Sequence, residues 1–164
     1  MQIQAAVFYE PGVPFKVETL ELDEPREGEV LVKIAAAGVC HSDYHLMTGA
    51  LRHKKPVVPG HEGSGHVVKV GPGVKRIKAD DFVALNWAPN CGECFYCLED
   101  RPSLCDTFIP SIWAGTMLDG TSRLSKNGEP VYHFSAVACF AEYAVVPQES
   151  CVVLPAEVPR RWRP

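Results

Sequence analysis

The sequence predicts a mainly β domain, an antiparallel barrel or sandwich, and three observations carry that prediction. Short runs of β-forming residues recur at close spacing along the chain. The stretches between them contain Pro or Gly, the residues turns require. Only one segment has convincing helical punctuation.

Taken in order, residues 5–9 (AAVFY), 15–22 (FKVETLEL) and 29–39 (EVLVKIAAAGV) are expected strands, parted by EPGVP and EPREG. Residues 42–49 (SDYHLMTG) are expected to be helical, with Ser42 as N-cap and Gly49 as terminator. Residues 65–74 (GHVVKVGPGV) and 81–86 (DFVALN) continue the strands, and 140–147 (FAEYAVVP) and 151–155 (CVVLP) close them. The stretch 106–137 is less regular and reads as a long loop with one strand over 131–134. Residues 156–164 carry two prolines and three arginines with no periodicity and are expected to form a disordered tail.

A chain of 164 residues, 46% hydrophobic and 22% charged, fits one soluble domain with its own core. The net charge of -4 argues against nucleic acid or an anionic membrane as the main partner. No apolar run approaches the ~20 residues a membrane span needs. The N-terminus MQIQAAVFYEPG lacks the basic start and apolar stretch of a secretory signal, so a cytoplasmic location is expected. In that compartment clustered cysteines more often bind metal or do redox work than form disulfides, and seven is an odd number.

Four of those cysteines lie in NCGECFYCLEDRPSLC. Cys91, Cys94 and Cys97 follow a C-x2-C-x2-C spacing and Cys105 comes after seven intervening residues. Two-residue gaps let neighbouring thiolates converge on one ion, and the longer gap lets the chain loop back with the fourth; Gly92 supplies the tight turn. A ferredoxin cluster would need a further C-x2-C step or a Cys-Pro ending, and a thioredoxin-like pair a βαβ setting. A closed structural zinc site is the reading that remains.

A second set is open. Cys40 ends a strand in AGVCHSDYH, and His61 sits in the glycine-rich turn of PGHEGSGHV. One thiolate and one imidazole suit zinc and leave positions for water, substrate or another ligand, as in catalytic sites. Glu62 is either a third ligand or a nearby charge, and Asp43 can orient His61 by accepting its other N–H. On residue types alone, such a pair is more often ordinary.

GVCHSDYHLMTG, PVVPGHEGSGHVVKVGPGV, DDFVALN and the four-cysteine lobe, in that order, resemble the catalytic domain of zinc-dependent medium-chain alcohol dehydrogenases over nearly all of residues 1–155. The resemblance implies a GroES-like, partly open barrel with a structural zinc lobe at about 90–105 and a few short helices. It implies that Cys40 and His61 ligate the catalytic zinc beside Glu62, with Asp43 behind His61. Ser42 matches the hydroxyl that takes the alcohol proton and His45 the outer end of the proton relay. His41 matches a cationic position near the cofactor pyrophosphate, and Leu51 and Trp87 match substrate-pocket positions. Cys91, Cys94, Cys97 and Cys105 match the structural zinc. The implied reaction takes a small alcohol to its aldehyde or ketone with NAD as hydride acceptor, and Trp87 is expected to favour slim substrates. The subgroup acting on glutathione adducts shares the long segment after the lobe. Its acid and arginine positions are here Leu51 and Ile109, which argues against that specificity.

No G-x-G-x-x-G follows a strand, so the Rossmann unit implied by the resemblance is expected to be absent, along with the family's third zinc-ligating cysteine. This chain alone is therefore expected to be inactive. A partner chain carrying a Rossmann domain, or a homo-oligomer, is the expected partner. The competing class is a stand-alone zinc-stabilised binding or assembly module.

Overall fold

The computed structural model describes residues 1–158. Its strands are β1 (Gln2–Val7), β2 (Lys16–Leu22), β3 (Glu29–Gly38), β4 (Val57–Val58), β5 (Glu62–Val70), β6 (Phe82–Leu85), β7 (Leu124–Lys126), β8 (Glu129–His133), β9 (Tyr143–Pro147) and β10 (Cys151–Val153). Three short α-helices interrupt them, α1 (His41–Thr48), α2 (Phe95–Leu98) and α3 (Ile109–Ala114), with three single 3-10 turns.

The strands form two five-stranded sheets, ordered β1-β2-β7-β8-β4 and β10-β6-β5-β3-β9. Every pairing is antiparallel except β4 with β8. The sheets are stitched where β1 passes β9: the Ala6 N–H donates to the Phe140 carbonyl at 2.8 Å and the Glu142 N–H to the Gln4 carbonyl at 3.0 Å. The result is the partly open barrel expected. Along β1 the pattern of period two puts Ile3, Ala5 and Val7 inside, where they meet Leu20 and Leu22 from β2. A second cluster, with Val30, Val32, Val67 and Val83, fills the space under the other sheet.

β3 is tied to β7 by a buried ion pair. Arg123, 1% exposed, donates through Nε and Nη2 to the two carboxylate oxygens of Glu29 at 2.8 and 2.6 Å. Its other contacts are Asp119 at 2.7 Å and the Thr121 hydroxyl at 2.6 Å. This fork holds the start of the strand whose far end delivers Cys40.

Two expectations need correction. α1 is capped by Cys40 rather than Ser42, because the Asp43 carboxylate accepts the Cys40 N–H at 3.0 Å and draws the helix start back; Ser42 lies in the first turn. Residues 106–137 are not a long loop with a single strand: besides the expected strand, seen as β8, they contain α3 and β7, which have too few residues to show periodicity. His133, within the strand expected over 131–134, ends β8 at 1% exposure. Gly49 does end α1, at φ 81°. Cys139 and Cys151 are buried in the core. Of the expected tail, residues 156–158 make a turn, with the Val158 N–H on the Pro155 carbonyl at 3.1 Å; residues 159–164 lie outside the described residues.

Candidate metal centres

Cys40 and His61 arrive on separate segments. β3 runs out at Gly38 and Cys40 caps α1, while the Pro59–Gly60 turn after β4 presents His61 just ahead of β5. Gly60 has φ 86°, and a Cβ there would strike the Phe140 ring, so only glycine fits this turn. The thiol of Cys40, an imidazole nitrogen of His61 and a carboxylate oxygen of Glu62 all lie within 4.8 Å of one another. Glu62 reaches in because it pairs with Gly38 across the β3–β5 ladder, where a side chain on residue 38 would meet its Oε2.

Asp43 organises the centre. Its two carboxylate oxygens accept the N–H of Cys40 and the N–H of Gly60, each at 3.0 Å, and it is 2% exposed. It also lies 3.5 Å from Nδ1 of His61, an ion-pair separation rather than a formed hydrogen bond, since that nitrogen has no partner of good geometry. Nε2, the other ring nitrogen, is 4.0 Å from Glu62. The Asp43 carboxylate raises the pKa of His61 against the opposing effect of burial. Burial works to raise Asp43 itself, but the imidazole of His61 beside it and the N–H bonds from Cys40 and Gly60 outweigh that and hold the acid low. The Cys40 thiol is lowered by the Ser42 backbone N–H, then by the Ser42 hydroxyl and His61. A buried imidazole with a carboxylate on one nitrogen and a thiol and an acid on the other side is a donor set suited to zinc.

A cleft of about 510 Å³ opens on His61 and Glu62, and Trp87 is on its wall. Leu51 is not there. It packs with Phe8, Leu46 and Phe134 and lines a different cavity, of about 340 Å³, with Arg52, His53 and Lys55. Ser42 Oγ lies 3.7 Å from the Cys40 sulfur. His41 and His45 are exposed on α1 with ring centroids 4.5 Å apart.

The four thiols of the lobe also converge. Cys91 and Cys97 are 4.0 Å apart at sulfur, Cys94 and Cys105 3.9 Å, close to the ~3.8 Å edge of a tetrahedron with ~2.3 Å zinc–sulfur bonds. Gly92 turns the chain at φ 78°, and backbone N–H groups already point at sulfur: Cys94 to Cys91 at 3.3 Å and Cys91 to Cys105 at 3.4 Å. The Thr107 hydroxyl leads the effects that lower Cys91 to about 6, while burial leads those that push Cys97 up to about 11. The four sulfurs lie within 4.8 Å of one another, an arrangement a divalent cation could take up. Cys105, Phe108, Ile112 and Ala136 form the lobe's small core.

Sequence reasoning found the two clusters and missed what holds them. The dual grip of Asp43 rests on Gly60, and its only sequence signal was the glycine beside the histidine. Phe134, which meets the His61 ring edge-on at 5.2 Å, had none.

The profile of the Alcohol dehydrogenase GroES-like domain matches residues 26–156. The chain is 45% identical over 152 residues to the NDMA-dependent alcohol dehydrogenase of Amycolatopsis methanolica, covering 93% of this chain and 41% of that protein. It is 41% identical to an S-(hydroxymethyl)glutathione dehydrogenase of Photobacterium damsela subsp. piscicida, covering 92% and 41%. Among solved structures, an alcohol dehydrogenase zinc-binding domain protein from Burkholderia ambifaria superposes with a TM-score of 0.89 at 35% identity, covering 97% of this chain and 43% of that one. The chain thus spans about two fifths of the length of the curated relatives it matches. Both clusters fall inside the matched residues, and the chain belongs to the alcohol dehydrogenase GroES-like domain family.

Proposed function

We propose that this chain is the zinc-binding catalytic domain of an NAD-dependent alcohol dehydrogenase that takes a slim alcohol to its aldehyde or ketone. The observation that carries the proposal is the grouping of the Cys40, His61 and Glu62 donor atoms within 4.8 Å beside the Trp87 cleft. A zinc ion bound there would act as a Lewis acid and bring a bound alcohol's pKa towards neutrality. The protein's own part is binding and proton handling. Trp87 narrows the cleft, and Ser42, next to Cys40, is placed to take the alcohol proton. His45, exposed one turn further along α1, is the outer end of the relay, where its imidazole can exchange protons with water. His41 faces the same side for a cofactor pyrophosphate. The Cys91, Cys94, Cys97 and Cys105 set takes the structural zinc.

The described residues contain no strand–glycine loop–helix unit for a dinucleotide, and the nucleotide would be held by a Rossmann domain outside them, in a cytoplasmic enzyme. Incubating the purified chain with NAD, zinc and primary alcohols should give no turnover, and metal analysis should give closer to one zinc than two per chain. Zinc-dependent NADH formation by this chain alone would overturn that division of labour. A second zinc that survives chelator dialysis would show that Glu62 completes the centre.

A further inference from the structure

The segment from Phe134 to Cys139 contributes a residue to each of four apolar clusters among the described residues. Phe134 belongs to the cluster of Phe8, Leu46 and Val57, and Ala136 to the lobe cluster of Cys105, Phe108 and Ile112. Val137 and Cys139 belong to the core under the second sheet, and Ala138 to that under the first. The backbone here is strained: Ser135, Ala136 and Ala138 are all non-glycine residues at φ 55°. Glycine would relieve the strain, but the methyls of Ala136 and Ala138, both 1% exposed, fill two different cores. The turn is locked by the Val137 and Ala138 N–H groups on the Phe134 carbonyl, at 3.1 and 3.2 Å. It is pinned to the His61 turn by the Cys139 N–H on the Gly60 carbonyl at 3.0 Å and the Phe140 N–H on the Pro59 carbonyl at 3.1 Å. Phe134, 3% exposed, sets its ring edge-on to His61 at 5.2 Å and to His53 at 5.5 Å.

We infer that Phe134 is a positioning residue for the Cys40–His61 centre, and that the left-handed turn after it transmits the placement of the four-thiol lobe to the His61 ring. His61 Nδ1 has only the 3.5 Å contact with Asp43 to set its rotation, so the Phe134 ring supplies the second restraint a ligand needs. Ala136 sits on the lobe core two residues from that ring, which makes the link short and stiff.

This inference rests on the reading that Cys40 and His61 hold metal, and the test separates the two. The full chain, its lobe loaded with zinc, is titrated with cobalt while thiolate-to-cobalt absorption is followed; Cys40→Ser identifies the signal of the centre. Phe134→Leu should weaken cobalt at the centre on the order of 10-fold, as loss of a ligand's support does, and Ala136→Gly should weaken it less, in the same direction. Leu20→Ala, a truncation in the first core, should lower the melting temperature and leave cobalt affinity unchanged. Cobalt binding by Phe134→Leu equal to the parent's, or an equal loss in Leu20→Ala, overturns the positioning role. If the parent gives no signal that Cys40→Ser removes, the metal reading falls and takes this inference with it. Should Phe134→Leu fail to fold, Phe134→Met, which keeps the bulk without the ring, carries the same comparison.

Discussion

Replacing Glu29 with alanine strands a guanidinium. In the native chain Arg123 is 1% exposed and Glu29 6%, and they exchange two charge-assisted bonds at 2.8 and 2.6 Å. Without Glu29 the remaining anion is Asp119, whose side chain is 41% exposed and therefore screened by water. Breaking one side of a buried pair costs about 3–5 kcal/mol, chiefly because the other charge stays buried without its partner. That is a large part of the 5–15 kcal/mol that holds an ordinary domain together. At about 2–4 °C per kcal/mol for a domain of this size, the melting temperature should drop by roughly 6–20 °C. The assay is thermal unfolding by circular dichroism with zinc in constant excess. Glu29→Met with Arg123→Met should recover most of the loss, since no uncompensated charge remains and Asp119 returns to water. A single variant that loses less than about 1 kcal/mol, the range of exposed pairs, would refute the argument. So would a double variant no better than the single.

Three further outcomes follow from the same geometry. Burial, with Arg123 adding to it, drives the His133 pKa down to about 3, so above its unfolded value of about 6.5 both states are neutral, and between the two values the unfolded chain binds the extra proton. Stability is then lost as pH falls below about 6.5, at up to ~1.4 kcal/mol per unit; urea midpoints from pH 7 to 4.5 should show a shallower slope for His133→Gln, and an unchanged slope would sink the assignment. Gly60→Ala meets both the left-handed backbone and the Phe140 ring, and should cost about 2–5 kcal/mol by thermal melt; near-parent stability would mean the turn readily rearranges. Asp43→Asn keeps one good acceptor for the two N–H groups at 3.0 Å, and should lower cobalt affinity at Cys40–His61 by about 10–100-fold, read by absorption titration; parent-like affinity would deny Asp43 its organising role.

The strands and both clusters were legible because their signals are local. C-x2-C-x2-C needs only its own spacing, and β2, β3 and β9 each contain enough alternating or continuous apolar residues to announce themselves. β4 and β7, with two and three residues, are too short for any periodicity, and they become strands only because β8 lies between or beside them. The parallel β4–β8 pairing, the Glu29–Arg123 fork and the contact of Phe134 with His61 join residues far apart in the chain, where one sequence offers no pattern. The cap of α1 was misplaced for an instructive reason: serine is the better N-cap by residue type, but the Asp43 carboxylate, placed three residues after Cys40, decides the boundary.

The double grip of Asp43 has a consequence for how metal comes and goes. The segments bearing Cys40 and His61 are clamped to one carboxylate by backbone N–H groups, bonds that do not involve the ligand atoms. The centre is thus assembled by the polypeptide before an ion arrives, and little ordering entropy is left for binding to overcome. Exchange of one ion for another there becomes a local event that the barrel does not register. The lobe is built the other way: beyond a single small core, a bound ion would be its cross-link through the four thiols, so removing that ion should unfold the lobe with it.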